Sequence, residues 1–287
     1  MLHLSDVHVD IPMSAMPWRE MLNKRLLGAA NLVLRRHAHF ADAREKLAAL
    51  ARLAQRERVD LVICTGDYTA LGTGPEIVAA REAIDALTHA PQGFVTVPGN
   101  HDVYMPDALA DSRFEHSFGE FLKSDWPEAC VDGPWPVVKL CGDSVAVIAV
   151  NSARPNPELW KSNGRVPEAQ LAALARLLDD PRLQNRFVFI ATHYAPRRAD
   201  GTPDKPLHGM ENADALLAIC AKLERGALLH GHIHWRFHLQ LAELRARIFG
   251  SGSTTCSGRE GFWLFEVDAA QTRAIPGGFR NGDYRLL

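Results

Sequence analysis

Phe94-Val95-Thr96-Val97-Pro98-Gly99-Asn100-His101-Asp102 is a short apolar run that ends in a cluster of polar side chains. A buried strand followed at once by such a cluster is the pattern of an α/β sheet, which keeps its chemistry beyond the carboxyl ends of its strands. The same pattern occurs four more times. Leu2-His3-Leu4 leads into Ser5-Asp6-Val7-His8, and Leu61-Val62-Ile63-Cys64-Thr65 leads into Gly66-Asp67. Phe187-Val188-Phe189-Ile190-Ala191 leads into Thr192-His193, and Ala227-Leu228-Leu229-His230 into Gly231-His232-Ile233-His234. Five strand ends therefore deliver Asp, Asn and His and little else that is polar, and their joint occurrence points to a metal site.

The donor chemistry narrows the metal. Carboxylate and amide oxygens with imidazole nitrogens, and no cysteine, favour Mn, Fe, Zn, Co or Mg over a thiolate zinc site. Asp6, His8, Asp67, Asn100, His193, His232 and His234 make seven candidate ligands. Seven are too many for one ion and suit two divalent ions about 3.5–4 Å apart, which a carboxylate can bridge. Gly66, Gly99 and Gly231 immediately precede motif residues, where glycine permits the tight turns a crowded centre needs. His3, His37, His39, His89, His116, His208, His230 and His238 lack such a context and read as structural or solvent-facing. Asp102 either orients His101 or caps a helix, and Asp10 reads as a turn residue. Tyr104, Trp160 and Tyr194 lie in loops beside the motifs, where they pack or stack on a substrate.

The rest of the chain is ordinary for a globular protein. It has 287 residues, 47% hydrophobic and 23% charged, with a formal net charge of −2. That size buries a core without disulfides, and that charge gives no reason to expect specific nucleic-acid binding. The five cysteines show no paired spacing, and Cys64 and Cys220 sit in apolar patterns as buried thiols. No signal pattern leads the chain, and the aliphatic stretch 26–34 is too short for a bilayer. These features imply a cytoplasmic protein, in contact with the inner membrane face if one segment binds lipid.

That segment is 18–40. A helix is expected over 19–36, with Leu22, Leu26, Ala29, Ala30 and Val33 on one face, flanked by Lys24, Arg25, Arg35 and Arg36. Residues 19–58 hold ten Lys or Arg against four acids, a formal +6. An apolar face ringed by cations suits an anionic membrane surface or an amphiphilic substrate. The same helix could equally pack on the body, and in either case hang over the metals as a lid.

Further helices are expected over 41–57, from Pro75, near 111–123, from Pro167 and over 211–224. After residue 235 the pattern switches to strands at 236–241, 245–250, 261–267 and 272–276. Early β/α alternation and a late run of strands imply an α/β fold, two mixed sheets packed as a sandwich flanked by helices. Residues 1–287 are expected to form one domain.

Asp6-x-His8, Gly66-Asp67, Gly99-Asn100-His101-Asp102, Thr192-His193 and Gly231-His232-x-His234 resemble, in order, the five signature blocks of the calcineurin-like metallophosphoesterases. The resemblance runs from residue 2 to about 267 and implies that superfamily's four-layer αββα fold. It implies that Asp6, His8 and His234 hold one metal, that Asn100, His193 and His232 hold the second, and that Asp67 bridges them. It implies attack on phosphorus by a metal-bound hydroxide, with His101 contacting the phosphate or protonating the leaving oxygen.

Departures from the blocks narrow the substrate. Asp67 is followed by Tyr68-Thr69-Ala70-Leu71-Gly72, without the further Asp and Arg of protein Ser/Thr phosphatases, and block three ends in Asp102 rather than Glu. His101 stands where the lipid A pathway diphosphatases usually carry Arg. The related exonucleases add a DNA-binding domain for which the chain has no room. The chain looks more like the bacterial phosphodiesterases that act on cyclic nucleotides or glycerophosphodiesters, taking a small phosphoester substrate. The alternatives are a hydrolase of a lipid-linked diphosphate or phosphodiester and a non-catalytic scaffold of the same fold.

Overall fold

Each apolar run is a strand because both of its faces find a partner. In the structure, a computed structural model describing residues 1–31, 37–268 and 271–287, the described strands form two six-stranded sheets. The first contains β1 (Leu2–Leu4), β2 (Val62–Cys64), β3 (Phe94–Thr96), β10 (Phe262–Val267), β11 (Thr272–Arg280) and β12 (Asp283–Leu286), ordered β12-β11-β10-β1-β2-β3. The second contains β4 (Val137–Cys141), β5 (Val145–Ala149), β6 (Phe187–Ala191), β7 (Gly226–His230), β8 (Arg236–Leu239) and β9 (Arg247–Ser251), ordered β4-β5-β6-β7-β9-β8. β1, β2 and β3 run parallel, as do β5, β6, β7 and β9, while the outer pairings are antiparallel.

The described helices are α1 (Lys24–Asn31), α2 (His37–Phe40), α3 (Ala43–Arg56), α4 (Gly74–Ala83), α5 (Pro106–Ala110), α6 (Arg113–Phe118), α7 (Glu168–Leu178) and α8 (Ala213–Cys220). Alternate residues of the second sheet serve different layers. Val147, Ala149, Phe189, Ala191, Leu229 and Phe249 meet Leu2, Leu4, Val62 and Phe265 of the first sheet. Ala146, Ile148, Val188, Ile190, Leu228 and Ile248 meet Leu171 and Leu174 of α7 and Leu216 and Leu217 of α8. Leu47, Leu50 and Leu53 of α3 and Ile77 of α4 complete the cluster of the first sheet. Each fully buried aliphatic side chain contributes about 1.5–3 kcal/mol, so the order helix–sheet–sheet–helix follows from strands that are apolar on both faces.

Four sequence expectations shift. β4 was not anticipated, because it follows a Pro- and aromatic-rich stretch that hides its five residues. β11 runs on through Pro276-Gly277-Gly278 to Arg280 and pairs with β12, where a stop near 276 was expected. Gly277 is needed there as a place without a side chain: a Cβ would sit 1.9 Å from the Phe262 ring. Near 111–123 the chain forms α5, α6 and a 3-10 turn at 119–121 rather than one helix.

The expected 19–36 helix begins only at Lys24, after turns. Arg25 is not one of its solvent cations. It is fully buried, and its guanidinium holds Asp107 at 2.8 and 2.9 Å and the Leu71 carbonyl at 2.8 Å. Among the other cations of 19–58, Lys46 pairs with Asp42 and Glu260, and Arg52 and Arg56 face Asp283, so part of the local excess is matched from distant sequence. Val33, Arg35 and Arg36, and the side chains of Ala29, Ala30 and His37, lie outside the described residues. Among the described residues no helix is long and apolar enough to cross a membrane.

Candidate metal centre

Five of the parallel strands end on one side of the sandwich, β1, β2 and β3 from one sheet and β6 and β7 from the other. The backbone beyond them is bent hard. Asp6, His8, Asp67, His232 and His234 all have positive φ, between 40° and 67°. Such a conformation costs a non-glycine residue about 1–3 kcal/mol, and its concentration on five of the seven candidate ligands marks a site that the fold holds under strain. The glycines play a different part from the one expected of a turn residue. Only Gly66 has positive φ (94°); at Gly99 a Cβ would lie 2.1 Å from Asp67 Oδ1, and at Gly231 1.8 Å from Ser5 Oγ. They let the five loops close on one another.

The strain is held by cross-loop hydrogen bonds. Asp6 N donates to Gly66 O and His8 N to Asp67 O, at 2.8 and 2.9 Å. A sixth loop, Ser251-Gly252-Ser253-Thr254-Thr255 after β9, braces the first motif from outside: Ser253 Oγ donates to Asp6 O and Thr254 Oγ1 to Ser5 O. This loop carries no Asp, Asn or His to mark it in the sequence, although its run of small polar residues at a strand end repeats the pattern of the other five.

All seven candidate ligands come together. One donor atom from each of Asp6, His8, Asp67 and His234 lies within 4.8 Å of the others. Beside them, Asn100 Oδ1 is 3.0 Å from His193 Nε2 and 2.9 Å from His232 Nδ1. Asp67 stands between the groups, with Oδ2 3.8 Å from His8 Nε2 and 3.5 Å from His193 Nε2.

Hydrogen bonds on the far ring nitrogens decide what these atoms can bind. His8 Nδ1 lies 2.9 Å from Thr69 O, His193 Nδ1 2.7 Å from Thr65 O, and His232 Nε2 3.0 Å from His208 O. A carbonyl only accepts, so each of those nitrogens carries the proton and the other presents a lone pair. Asn100 Oδ1 thus faces two imidazole lone pairs, three donor atoms that one cation can take together. Burial pushes the pKa of His193 and His232 below the ordinary range and keeps them in the neutral, ligating form. His234 goes the other way. Burial opposes it, yet Asp6, 3.0 Å away, pushes its pKa up to about 9 by charge and hydrogen bonding. The carboxylates demand positive charge at this point, and a divalent ion meets that demand as a proton does. The donor set therefore fits two divalent ions.

The model of the calcineurin-like phosphoesterase family matches residues 1–236, a span that contains every one of these side chains. The chain belongs to that family. The phosphoesterase therefore depends on two divalent metals and is a metal-dependent phosphoric ester hydrolase by descent. No curated protein matches it in sequence. Among solved structures it is similar to a dimetal phosphatase from Danio rerio, at 15% identity and a TM-score of 0.63, covering 99% of this chain and 97% of that one. It is also similar to a purple acid phosphatase from yellow lupin (Lupinus luteus) seeds, at 10% identity and a TM-score of 0.61, covering 99% of this chain and 52% of that one. A putative 5'-nucleotidase from Staphylococcus aureus aligns at 15% identity and a TM-score of 0.50, over 95% of this chain and 52% of that one. Identities this low speak for the fold alone.

His101 and Asp102 separate in role. His101 lines the mouth of the phosphoesterase site, its Nδ1–H donating to Ala70 O at 2.6 Å and its backbone N–H to Asp67 Oδ1 at 2.8 Å. Ala70 is itself held by Glu76, whose carboxylate takes the N–H groups of Ala70, Leu71 and Thr73 and closes a capping box on α4. Asp102, expected from sequence either to orient His101 or to cap a helix, instead clamps two loops together. Its buried carboxylate accepts the N–H groups of Asp67, Tyr68, Thr69 and Gly99 and so ties block two to block three. Burial and the neighbouring Asp67 push its pKa up to about 7, while those N–H groups pull it down.

Two clefts meet at Asn100, His101 and Ser162, on the edge of the candidate metal centre. One of about 530 Å³ is lined by Asn100, His101 and Ser162 together with Arg198, Lys205, His208, Trp235 and Arg259. The other, of about 210 Å³, shares Asn100, His101 and Ser162 and adds Lys24, Gly28, Tyr104, Leu159, Trp160 and Lys161. His208 was read from sequence as structural or solvent-facing. It packs against His232, with ring centroids 4.2 Å apart and planes tilted by 33°, and binds Asp204 at 2.6 Å, so that donor atoms of Asp204, His208 and His232 also lie within 4.8 Å of one another. The loop-borne His208 had no motif of its own to betray this. Tyr194 is buried, its hydroxyl on Ser162 O, and packs as expected, whereas Trp160 stands exposed at the smaller cleft.

Proposed function

We propose that this phosphoesterase, acting as one domain, hydrolyses a phosphodiester of the cyclic-nucleotide or glycerophosphodiester type. In this reading Asp6, His8 and His234 hold one ion, Asn100, His193 and His232 the other, and Asp67 both. When bound, the ions supply Lewis-acid charge for the phosphoryl group and for the water that displaces the ester. The chain's own residues do the rest. Asn100 and Ser162 mark the wall where the phosphoryl group sits. His101, kept in place through Nδ1–H by Ala70, acts as an imidazolium and gives its Nε2 proton to the departing oxygen.

One observation carries the choice of a diester: Asn100, His101 and Ser162 stand at the partition of two clefts. A phosphodiester has two organic arms and fills both; a monoester fills one. With Mn added, bis(p-nitrophenyl) phosphate is expected to be turned over with a kcat/KM at least about tenfold above p-nitrophenyl phosphate, as about 1.4 kcal/mol from a second bound arm would give. Equal or better turnover of the monoester overturns this. Two tightly bound metals with turnover of neither would favour the scaffold reading.

A second reading, hydrolysis of a lipid-linked diphosphate or phosphodiester at a membrane surface, is favoured by one feature. Trp18, Leu22, Leu26 and Leu27 are more than half exposed, beside the Lys24 and Gly28 that α1 brings to the smaller cleft. On this reading the protein co-sediments with anionic vesicles and not with neutral ones, and Leu22→Ser with Leu26→Ser abolishes that while metal content stays. Absence of binding to anionic vesicles at low salt ends it.

A further inference from the structure

The larger cleft has a wall that hydrolysis of a plain ester does not use. Arg198, Lys205 and Arg259 line it beside His101 and His232, and all three are exposed. None of them forms an ion pair within 4.0 Å among the described residues, while a neighbour in sequence does: Arg197 pairs with Asp214. The one carboxylate on that wall apart from Asp67 is Asp204, and it is engaged by its own loop. Its Oδ2 holds His208 Nδ1 at 2.6 Å and its Oδ1 accepts the Lys205 N–H at 2.8 Å, leaving Arg198 to feel it at longer range.

The cations are also placed, not merely present. Lys205 sits on a turn closed by bonds from His208 N and Gly209 N to its own carbonyl, and the next link, His208 O to His232 Nε2, fastens that turn to a candidate metal ligand. Arg198 begins a turn closed by Arg198 N to Thr202 O and Gly201 N to Arg198 O. The Arg259 guanidinium lies 5.0 Å over the ring of Trp235, whose side chain follows His234 directly. That contact draws the guanidinium toward the mouth. Three cations, two on hydrogen-bonded turns and one over a Trp ring, line one wall beside the candidate metal centre without acids of their own and are a ready site for negative charge.

We propose that Arg198, Lys205 and Arg259 form a specificity subsite for a second anionic group, a phosphate or a carboxylate, carried on one ester arm of the substrate. The substrate is then a phosphoester with two separated negative centres: the reacting phosphoryl group on the metals and a second anion against this wall. The proposal rests on reading the metal centre as a phosphoesterase site, and it narrows the substrates of that reading to phosphoesters with a second anion, such as a glycerophosphodiester with an acidic head group, and away from a simple cyclic nucleotide, which has only one.

The test is equilibrium binding, which needs no turnover. Mn-loaded protein is titrated calorimetrically with propylphosphonate, 3-phosphonopropionate and propane-1,3-diphosphonate, whose C–P bonds resist hydrolysis. The expected result is that at least one of the two probes carrying a second anion binds at least about tenfold tighter than propylphosphonate, and the better of them tells phosphate from carboxylate. In the variant carrying Arg198→Gln, Lys205→Gln and Arg259→Gln this gap closes. Should the triple variant fail to fold, each single variant narrows the gap on its own. Equal affinity for all three probes in the wild type, or a gap that survives the substitutions, overturns the proposal. Failure of the diester reading would show instead in the nitrophenyl assay and would leave the binding gap in place.

Discussion

Asp67→Asn is expected to lose most of the bound metal and nearly all activity, at least about a thousandfold in kcat/KM, the scale of about 4 kcal/mol of lost electrostatic stabilisation. The fold should survive. Asparagine has the same shape and tolerates the positive φ of 59° found at this position, and its carbonyl can still accept the His101 N–H that Asp67 Oδ1 takes at 2.8 Å. The other half of the side chain then becomes an NH₂ group pointing where Oδ2 faces His8 and His193, 3.8 and 3.5 Å away. A donor has replaced the one carboxylate that lies between both groups of candidate ligands, and a neutral amide cannot balance two dications. Metal analysis alongside turnover checks this. A wild-type protein fully active with a single ion per chain would end the dinuclear account.

His101→Ala should keep both metals and still lose roughly 100-fold in turnover on esters with poor leaving groups, the usual scale of acid catalysis. His101 is no part of the candidate ligand set; its ring is held by the Ala70 carbonyl at 2.6 Å, and its backbone, not its side chain, supports Asp67. The loss should be smaller on nitrophenyl esters, whose leaving oxygen scarcely needs a proton. Equal loss on both would assign His101 to phosphate binding and remove the acid role. The Asp102 clamp makes a useful contrast, because its carboxylate holds backbone N–H groups of two loops and a substitution there should show as lost folding stability before it shows as chemistry.

How much could be read beforehand differs from residue to residue. The seven candidate ligands were legible because each sits within a few residues of an apolar run, and a strand end is a local pattern. The helices α3, α4 and α7 were legible for the same reason, their periodicity and first-turn residues being local. β4 and β12 were not, since four- or five-residue strands with mixed composition become strands only by pairing with a neighbour. Arg25 looked like a surface cation because its partner, Asp107, lies 82 residues away. His208 looked idle because the ring it packs against belongs to residue 232.

By itself, then, the order of residues determined the kind of fold, the ligand chemistry and the loops that carry it. Only the tertiary structure decided how those loops are held. It showed that the ligands rather than the glycines take most of the left-handed backbone, that Asp102 is a clamp, that the Asn100 oxygen faces two lone pairs, and that two clefts meet at His101. The physical reason is the range of the contacts. Strand and helix propensity act over a few residues, whereas the bonds that shape this centre join His8 to Thr69, His193 to Thr65 and His232 to Asp6, across 61, 128 and 226 residues of chain, and exist only after the two sheets have packed.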